Sequence, residues 1–289
     1  MIETGQVIRY IRLSKNIKSG NVYTGILSRP AISRFEQGLS DTTTEKLFKI
    51  ISNLNVSLDE FYYIYNKYNT ENDYDFYNEY SQAFYLNDLE TLKKLRNSTD
   101  KQYKSTNKVK HLHYSSLTDL TISYIMKEKN NLDSIKILKK YLLECNEWTY
   151  YELVLFTNSL DFISEELILL LYKRAKKKLK YFTQLRKYSN EVFSLITNIL
   201  VVFITKNDIN RSIFFYDELK SSMSETNNRM YEKAMMIFFK ELIDIIDTKK
   251  TNVKNVERII VLFDYLDMPV KKNQCIHLYE TVKSNNQII

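Results

Sequence analysis

The sequence predicts an all-α fold in two parts, and three observations predict it. All four glycines fall within the first 38 residues. Between Pro30 and Pro269 there is no proline, so some 230 residues run almost without helix breakers. Apolar residues recur at helical spacing, as in Leu132, Ile135, Leu138 and Leu142, and in Val192, Leu195, Ile199, Val202 and Phe203. Long strands joined by tight turns need the residues this stretch lacks.

The first helix has Val7, Ile8 and Ile11 on its buried side, with Arg9, Arg12, Lys15 and Lys18 turned outward or toward partners. Arg12 is expected to pair with Glu36 across the bundle rather than touch a ligand. A polar helix start follows at Lys18-Ser19-Gly20-Asn21.

The pivotal segment is Ser28-Arg29-Pro30-Ala31-Ile32-Ser33-Arg34-Phe35-Glu36-Gln37-Gly38. Ser28 is expected to cap this helix with its side chain, Pro30 suits the first turn, and Gly38 supplies the stop. With Ile32 and Phe35 inward, Arg29, Ser33 and Arg34 share the opposite side. Two capping boxes come next: Thr42 with Glu45 opens a helix carrying Leu47, Phe48, Ile50 and Ile51, and Ser57 with Glu60 opens one carrying Leu58, Phe61 and Ile64. Asn55 suits the left-handed turn between them.

Five short helices in this order form a lambda-repressor-like helix-turn-helix domain over residues 1–66. An arginine on an exposed helix face has the planar fork that grips guanine O6 and N7 in the major groove. The expected DNA contacts are Lys18, Ser19, Ser28, Arg29, Ser33, Arg34 and Thr43. The charge balance agrees. The chain of 289 residues has a net charge of +7, and residues 1–40 hold six Arg or Lys against two Glu. Such a face attracts phosphate, and its binding weakens as salt rises.

Residues 67–72 are polar and read as a linker. From 73 to 289, helix pairs are expected to start near Asn107, Glu147, Tyr188 and Met230, a spacing of about 40 residues that fits a helical solenoid. Polar connections such as Lys206-Asn207-Asp208, Glu225-Thr226-Asn227-Asn228 and Lys249-Lys250-Thr251-Asn252 separate them. The period matches but the glycine-bearing consensus is missing, so this is a degenerate tetratricopeptide-like array. A solenoid of this kind has a concave wall suited to an extended peptide. Asn158 and Asn198 sit within otherwise apolar helices, where an amide offers a peptide backbone both donor and acceptor, or else bonds a neighbouring helix or water.

Other chemistry finds little footing. Cys145 and Cys275 stand far apart without a CxxC partner, which argues against a disulfide scaffold or a zinc module. His111 and His113 read as surface residues rather than metal ligands. No phosphate-cradling glycine loop and no nucleophile with its base can be assembled, so no catalytic residue, metal or cofactor is expected. The basic run Lys173 to Lys180 reads as a solvated helix face, or else as a partner for a peptide carboxylate or DNA phosphate. The longest apolar run, Val192 to Ile204, is interrupted by Ser194, Thr197 and Asn198 and reads as too short to cross a bilayer, and no signal peptide is seen. A cytoplasmic location without membrane attachment is expected.

The segments Val22-Tyr23-Thr24-Gly25-Ile26-Leu27-Ser28-Arg29, Ser33-Arg34-Phe35-Glu36-Gln37-Gly38 and Leu54-Asn55-Val56-Ser57-Leu58-Asp59-Glu60-Phe61 together resemble the Rgg/GadR/MutR family of bacterial transcriptional regulators. The likeness continues more loosely through Trp148 and Glu152-Leu153-Val154-Leu155-Phe156-Thr157-Asn158-Ser159. The resemblance implies a homodimer that binds an inverted-repeat operator in double-stranded DNA and is switched by a short signalling peptide. It also implies that Asn158 and Asn198 fall where the family commonly has Asn. At Lys18-Ser19-Gly20-Asn21 the chain departs from the Ser-Gln-Lys-Glu-like start usual there, and Gly20 weakens a helix by up to about 1 kcal/mol relative to Ala. Two other readings stand beside this one: a protein-interaction module that sequesters a partner, and a DNA-binding regulator that answers to a small molecule.

Overall fold

The computed structural model describes residues 3–69, 72–129, 131–179, 185–223, 229–249 and 254–287. Every regular element among them is helical. Two compact units divide between Glu79 and Tyr80.

The first unit holds α1 (Thr4–Ser14), α2 (Ser19–Tyr23), α3 (Arg29–Glu36), α4 (Thr44–Asn53) and α5 (Leu58–Tyr65). Helix α1 packs on α3 and α5, α2 on α4, and α4 on α5. Their apolar faces bury Val7, Ile8, Ile11, Val22, Phe35, Ile50, Ile51, Leu54 and Phe61 in one core. Phe48 and Leu58, expected to belong to the apolar faces of α4 and α5, are exposed. A Cβ on Gly5 would stand 1.7 Å from the Phe35 carbonyl oxygen, so only glycine lets α1 approach α3 this closely. Gly38 stops α3 with φ +75.

The caps show how far local rules carry. Ser57 and Glu60 form the expected capping box, and Asn55 takes φ 51. Ser28 occupies the N-cap of α3, but its side chain caps nothing. Pro30 at the second helical position has no N–H to give it. The opening of α4 lies one residue later than Thr42 suggested. Thr43 is the N-cap and accepts from the Lys46 N–H at 3.4 Å, while Glu45 pairs with Lys49 at 2.6 Å. A lysine three residues after the cap cannot return a hydrogen bond as Glu would.

Helix α6 (Asn72–Tyr85), which follows the segment read as a linker, contains the point of division between the two units. The second unit continues with α7 (Leu89–Thr106), α8 (Val109–Met126), α9 (Leu132–Glu144), α10 (Tyr150–Thr157), a short 3-10 helix (Leu160–Phe162) and α11 (Glu165–Leu179). Then come α12 (Arg186–Thr205), α13 (Ile209–Ser222), α14 (Met230–Thr248), α15 (Lys254–Tyr265) and α16 (Pro269–Asn286). Most neighbours in sequence pack together, and α10, α12, α14 and α16 also pack on one another in turn. That second set of contacts is the mark of stacked helix pairs. The observed starts of α8, α10, α12 and α14 fall within a few residues of the four expected ones.

With no glycine after Gly38, helix ends in this unit use side-chain-bearing residues in the left-handed region. Asn87, Asn107 and Asn207 do so at φ 52, 53 and 59, as do Lys127 and Lys249. Asparagine tolerates this region better than most residues. Within Lys206-Asn207-Asp208, Asp208 then caps α13 by accepting from the Arg211 N–H at 3.0 Å. The Glu225–Asn228 connection and residues 250–252 of the next lie outside the described residues.

Three expectations change here. His111 and His113 are buried, not superficial. The Tyr151 hydroxyl lies 2.7 Å from His113 Nδ1, and burial pushes the imidazole down to about 4 against the pull of Glu152. Helix α12 extends beyond the apolar run at both ends, and its window Tyr188–Thr205, mean hydropathy 1.4, is long and apolar enough to cross a membrane by length and composition. Buried residues make up 56% of that window, as suits a core helix. The basic run is only partly a solvated face. Ala175 is buried, Arg174 donates to the last carbonyls of α9 at Leu142 and Leu143, and Lys176 pairs with Glu218 at 2.6 Å. Lys173 and Lys177 are exposed, and Lys180 lies outside the described residues.

Candidate functional site

Helix α3 presents two sides with different tasks. Phe35 and Glu36 are buried, Ala31 and Ile32 are half-buried, and Arg29, Pro30, Ser33, Arg34 and Gln37 are exposed. This is the face expected from sequence. Neither Arg29 nor Arg34 makes an ion pair among the described residues, so both guanidinium groups remain free for a ligand. Ser33 accepts a hydrogen bond from Gln37 Nε2 at 3.3 Å, which adds Gln37 to this polar edge.

The flanking candidates surround the same helix in sequence. Lys18, Ser28 and Thr43 are exposed and Ser19 is half-buried. The loop between α2 and α3 turns at Gly25 with φ +75, where an L side chain would be strained. Lys46, one turn into α4 from Thr43, is an exposed cation that sequence reasoning passed over. Lys15 is engaged inside the unit, its Nζ donating to the carbonyls of Leu54 and Asn55 at 2.9 and 2.8 Å. It thereby closes the C-terminal end of α4.

The underside of α3 is fixed by a buried polar cluster. Arg12 donates from Nε to Glu36 Oε1 at 2.7 Å and from Nη2 to Oε2 at 2.8 Å, the paired geometry that a guanidinium and a carboxylate share. Its Nη1 donates to the Ile17 carbonyl at 3.2 Å. The Tyr23 hydroxyl completes the cluster, donating to Glu36 Oε1 at 2.7 Å. Burial pulls the Glu36 carboxyl upward, but the hydrogen bonds from Arg12 and Tyr23 and the Arg12 charge outweigh it and hold it below the usual carboxylate range. Burial first, and then Glu36, drive the Tyr23 hydroxyl strongly upward. Both groups thus keep the protonation states the cluster needs. The Arg12–Glu36 pair was legible in the sequence; Tyr23 was not, because nothing in its spacing distinguishes it from a packing tyrosine. Gly5 had a visible signal, a glycine inside a helical pattern.

The two asparagines of the second unit differ in setting. Asn158 is not within a helix but is the C-cap of α10, half-buried, and its Nδ2 donates back to the Val154 carbonyl at 2.8 Å. Its side-chain oxygen is left to accept. Asn198 lies in the middle of α12 and is exposed between buried Thr197 and Ile199. It lies on the same side of the helix as the half-buried Glu191 and Ser194. Among the described residues no group of three or more His, Cys, Asp or Glu could hold a metal ion.

A helix-turn-helix unit with a basic, unpaired outer face on its third helix, followed by a helical repeat, defines a DNA-binding transcription regulator. Residues 8–61 match the helix-turn-helix family model, and residues 89–277 match the model of the C-terminal domain of HTH-type transcriptional regulator Rgg. The chain belongs to the Rgg family. Among solved structures it is similar to a candidate transcriptional regulator from Listeria monocytogenes EGD-e, at 23% identity over 99% of both chains with a TM-score of 0.86. It is also similar to the SHP pheromone receptor Rgg2 of Streptococcus dysgalactiae, at 20% identity over 98% of this chain and 100% of that one, TM-score 0.74. A third likeness is to a bacterial peptide pheromone/receptor complex, at 14% identity over 98% and 99%, TM-score 0.69. At these identities the likenesses carry the fold.

Proposed function

We propose that the chain is a cytoplasmic homodimer that reads an inverted repeat in double-stranded DNA and is switched by a short peptide bound on the wall of α10, α12, α14 and α16. The observation that carries the DNA half is the free outer face of α3. Arg29 and Arg34 reach base edges, Ser33 assists, and Lys18, Ser19, Ser28 and Thr43 contact phosphates or neighbouring bases. Two copies related by a two-fold axis fit half-sites about 34–36 Å apart. Replacing Arg34 by Ala costs about 1–3 kcal/mol of specific affinity if it grips a base, measured on the preferred duplex. Unchanged affinity removes Arg34 from the contacts.

The peptide half rests on Asn158 and Asn198, whose amides stay accessible on packed helices of the repeat, and on the peptide-pheromone receptors of the same fold. A ligand shifts the dimer only through unequal affinity for its two arrangements. Short synthetic peptides that bind the folded chain raise its melting temperature by mass action. They also change its affinity for DNA, and Asn158→Ala with Asn198→Ala abolishes both effects. A saturating peptide that leaves DNA affinity and transcription unaltered excludes this mode of control. Regulation is the reading the residues support; no step of bond-making chemistry is assigned to the chain.

A further inference from the structure

Helix α2 cannot hold its own position. It has five residues, one of them Gly20, and no side-chain cap. A helix this short has almost no intrinsic stability, so its pose is set by what it touches. Val22 is buried in the core, and its carbonyl accepts from Asn53 Nδ2 of α4 at 3.0 Å. Toward α3 there is a single hydrogen bond among the described residues, from the Tyr23 hydroxyl to Glu36. Glu36 is the last residue of α3, and Arg12 anchors it to α1.

We propose that Tyr23 is a positioning residue for DNA specificity. Its hydroxyl, acting through Glu36, fixes the angle between α2 and α3, so that groups on α2 and the arginines of α3 meet one duplex in one register. This rests on the DNA contacts proposed above. Phosphate contacts set where a protein sits on DNA, and base contacts read it; a specific complex needs both from one rigid unit. Tyr23 is wholly buried and touches no DNA itself. Losing its hydroxyl leaves Glu36 held by both Arg12 bonds, so the fold stands while the angle loosens.

The test uses the full-length chain, a duplex selected by that chain from a randomised pool, and poly(dI-dC) as non-specific DNA. Tyr23→Phe is expected to lower affinity for the selected duplex about tenfold, the scale of one charge-assisted hydrogen bond. Non-specific affinity and the dependence on salt stay as they were, because the phosphate contacts are retained. A purely structural defect lowers both affinities together, and that result, or an unchanged selected affinity, overturns the proposal. Arg34→Ala is measured alongside. If it retains affinity, the contact reading fails; if it loses affinity while Tyr23→Phe does not, only this inference fails. Should Tyr23→Phe unfold at the assay temperature, Arg12→Lys loosens the same carboxylate from the other side. The same selective loss then supports the proposal, and unchanged discrimination overturns it.

Discussion

Each unit buries a glutamate beside a tyrosine hydroxyl, and the two glutamates are satisfied in different ways. In the first unit Glu36 meets a cation, Arg12, and the pair ties α1 to α3. In the second, Glu152 meets neutral donors: the Tyr141 hydroxyl at 2.5 Å and the Thr149 N–H and hydroxyl at 2.8 Å each. Burial raises both carboxyls and hydrogen bonding brings both below their ordinary value. A small module with a thin core uses a charge pair and a glycine to fix distant elements. The repeat places its ion pairs, such as Lys176 with Glu218 and Arg96 with Asp119, on half-exposed surfaces between helices. It adds hydroxyls that act within a helix, as when Thr118 returns its hydroxyl to the Tyr114 carbonyl at 2.8 Å. The first arrangement specifies one geometry, whereas the second adds up along the chain.

The sharpest way to break this contrast is Gly5→Ala. The new methyl would meet the backbone carbonyl of Phe35, which cannot rotate away, so α1 must lift from α3. A loss of about 3 kcal/mol or more is expected in the first unit alone. Denaturation followed by hydrogen exchange would show residues of α1 to α5 opening early while α7 to α16 keep their protection. Uniform loss of protection would mean that the units do not stand apart energetically.

A second experiment turns on pH. His113 has its folded value depressed to about 4, below the ordinary value of an unfolded histidine, so the unfolded chain takes up its proton first. Stability owed to the neutral ring is complete above about pH 6.5 and falls as pH drops toward 4. Asp161 and Glu191, pushed up by burial, act in the opposite sense over the acid range, so the comparison must be with a variant. Relative to His113→Gln, which keeps an acceptor for Tyr151, the wild-type chain should lose about 2 kcal/mol between pH 7 and pH 5. Parallel stability curves for the two proteins would show that the ring is not held neutral.

The smallest effect concerns the turns. Asn107 ends α7 at φ 53 and its side chain is exposed. Replacement by Ala should cost about 1 kcal/mol, and replacement by Gly should stay within about 0.5 kcal/mol of the original. Equal losses for both, read from urea midpoints, would assign Asn107 a side-chain role instead.

Much of this architecture was legible because the determining rules are local. The Ser57–Glu60 box, the left-handed Asn55 and the outward side of α3 follow from residue type and spacing within one or two turns. The Arg12–Glu36 pair reaches across helices, yet it could be read because a charge on an otherwise apolar side needs an opposite one. What escaped depends on neighbours distant in sequence. Whether His113 meets water or Tyr151, 38 residues away, is decided by packing. The place of Asn158 turned on where α10 ends, and a shift of one residue moved it from helix to cap. The same sensitivity moved the opening of α4 from Thr42 to Thr43.

The glycine-free stretch beyond Gly38 has a consequence for the denatured chain. Every residue there carries a Cβ, so the unfolded backbone samples fewer conformations than a glycine-punctuated chain of equal length and surrenders less entropy when it folds. Part of what keeps the repeat folded is therefore not a contact at all, and would be missed by any count of its packed surfaces.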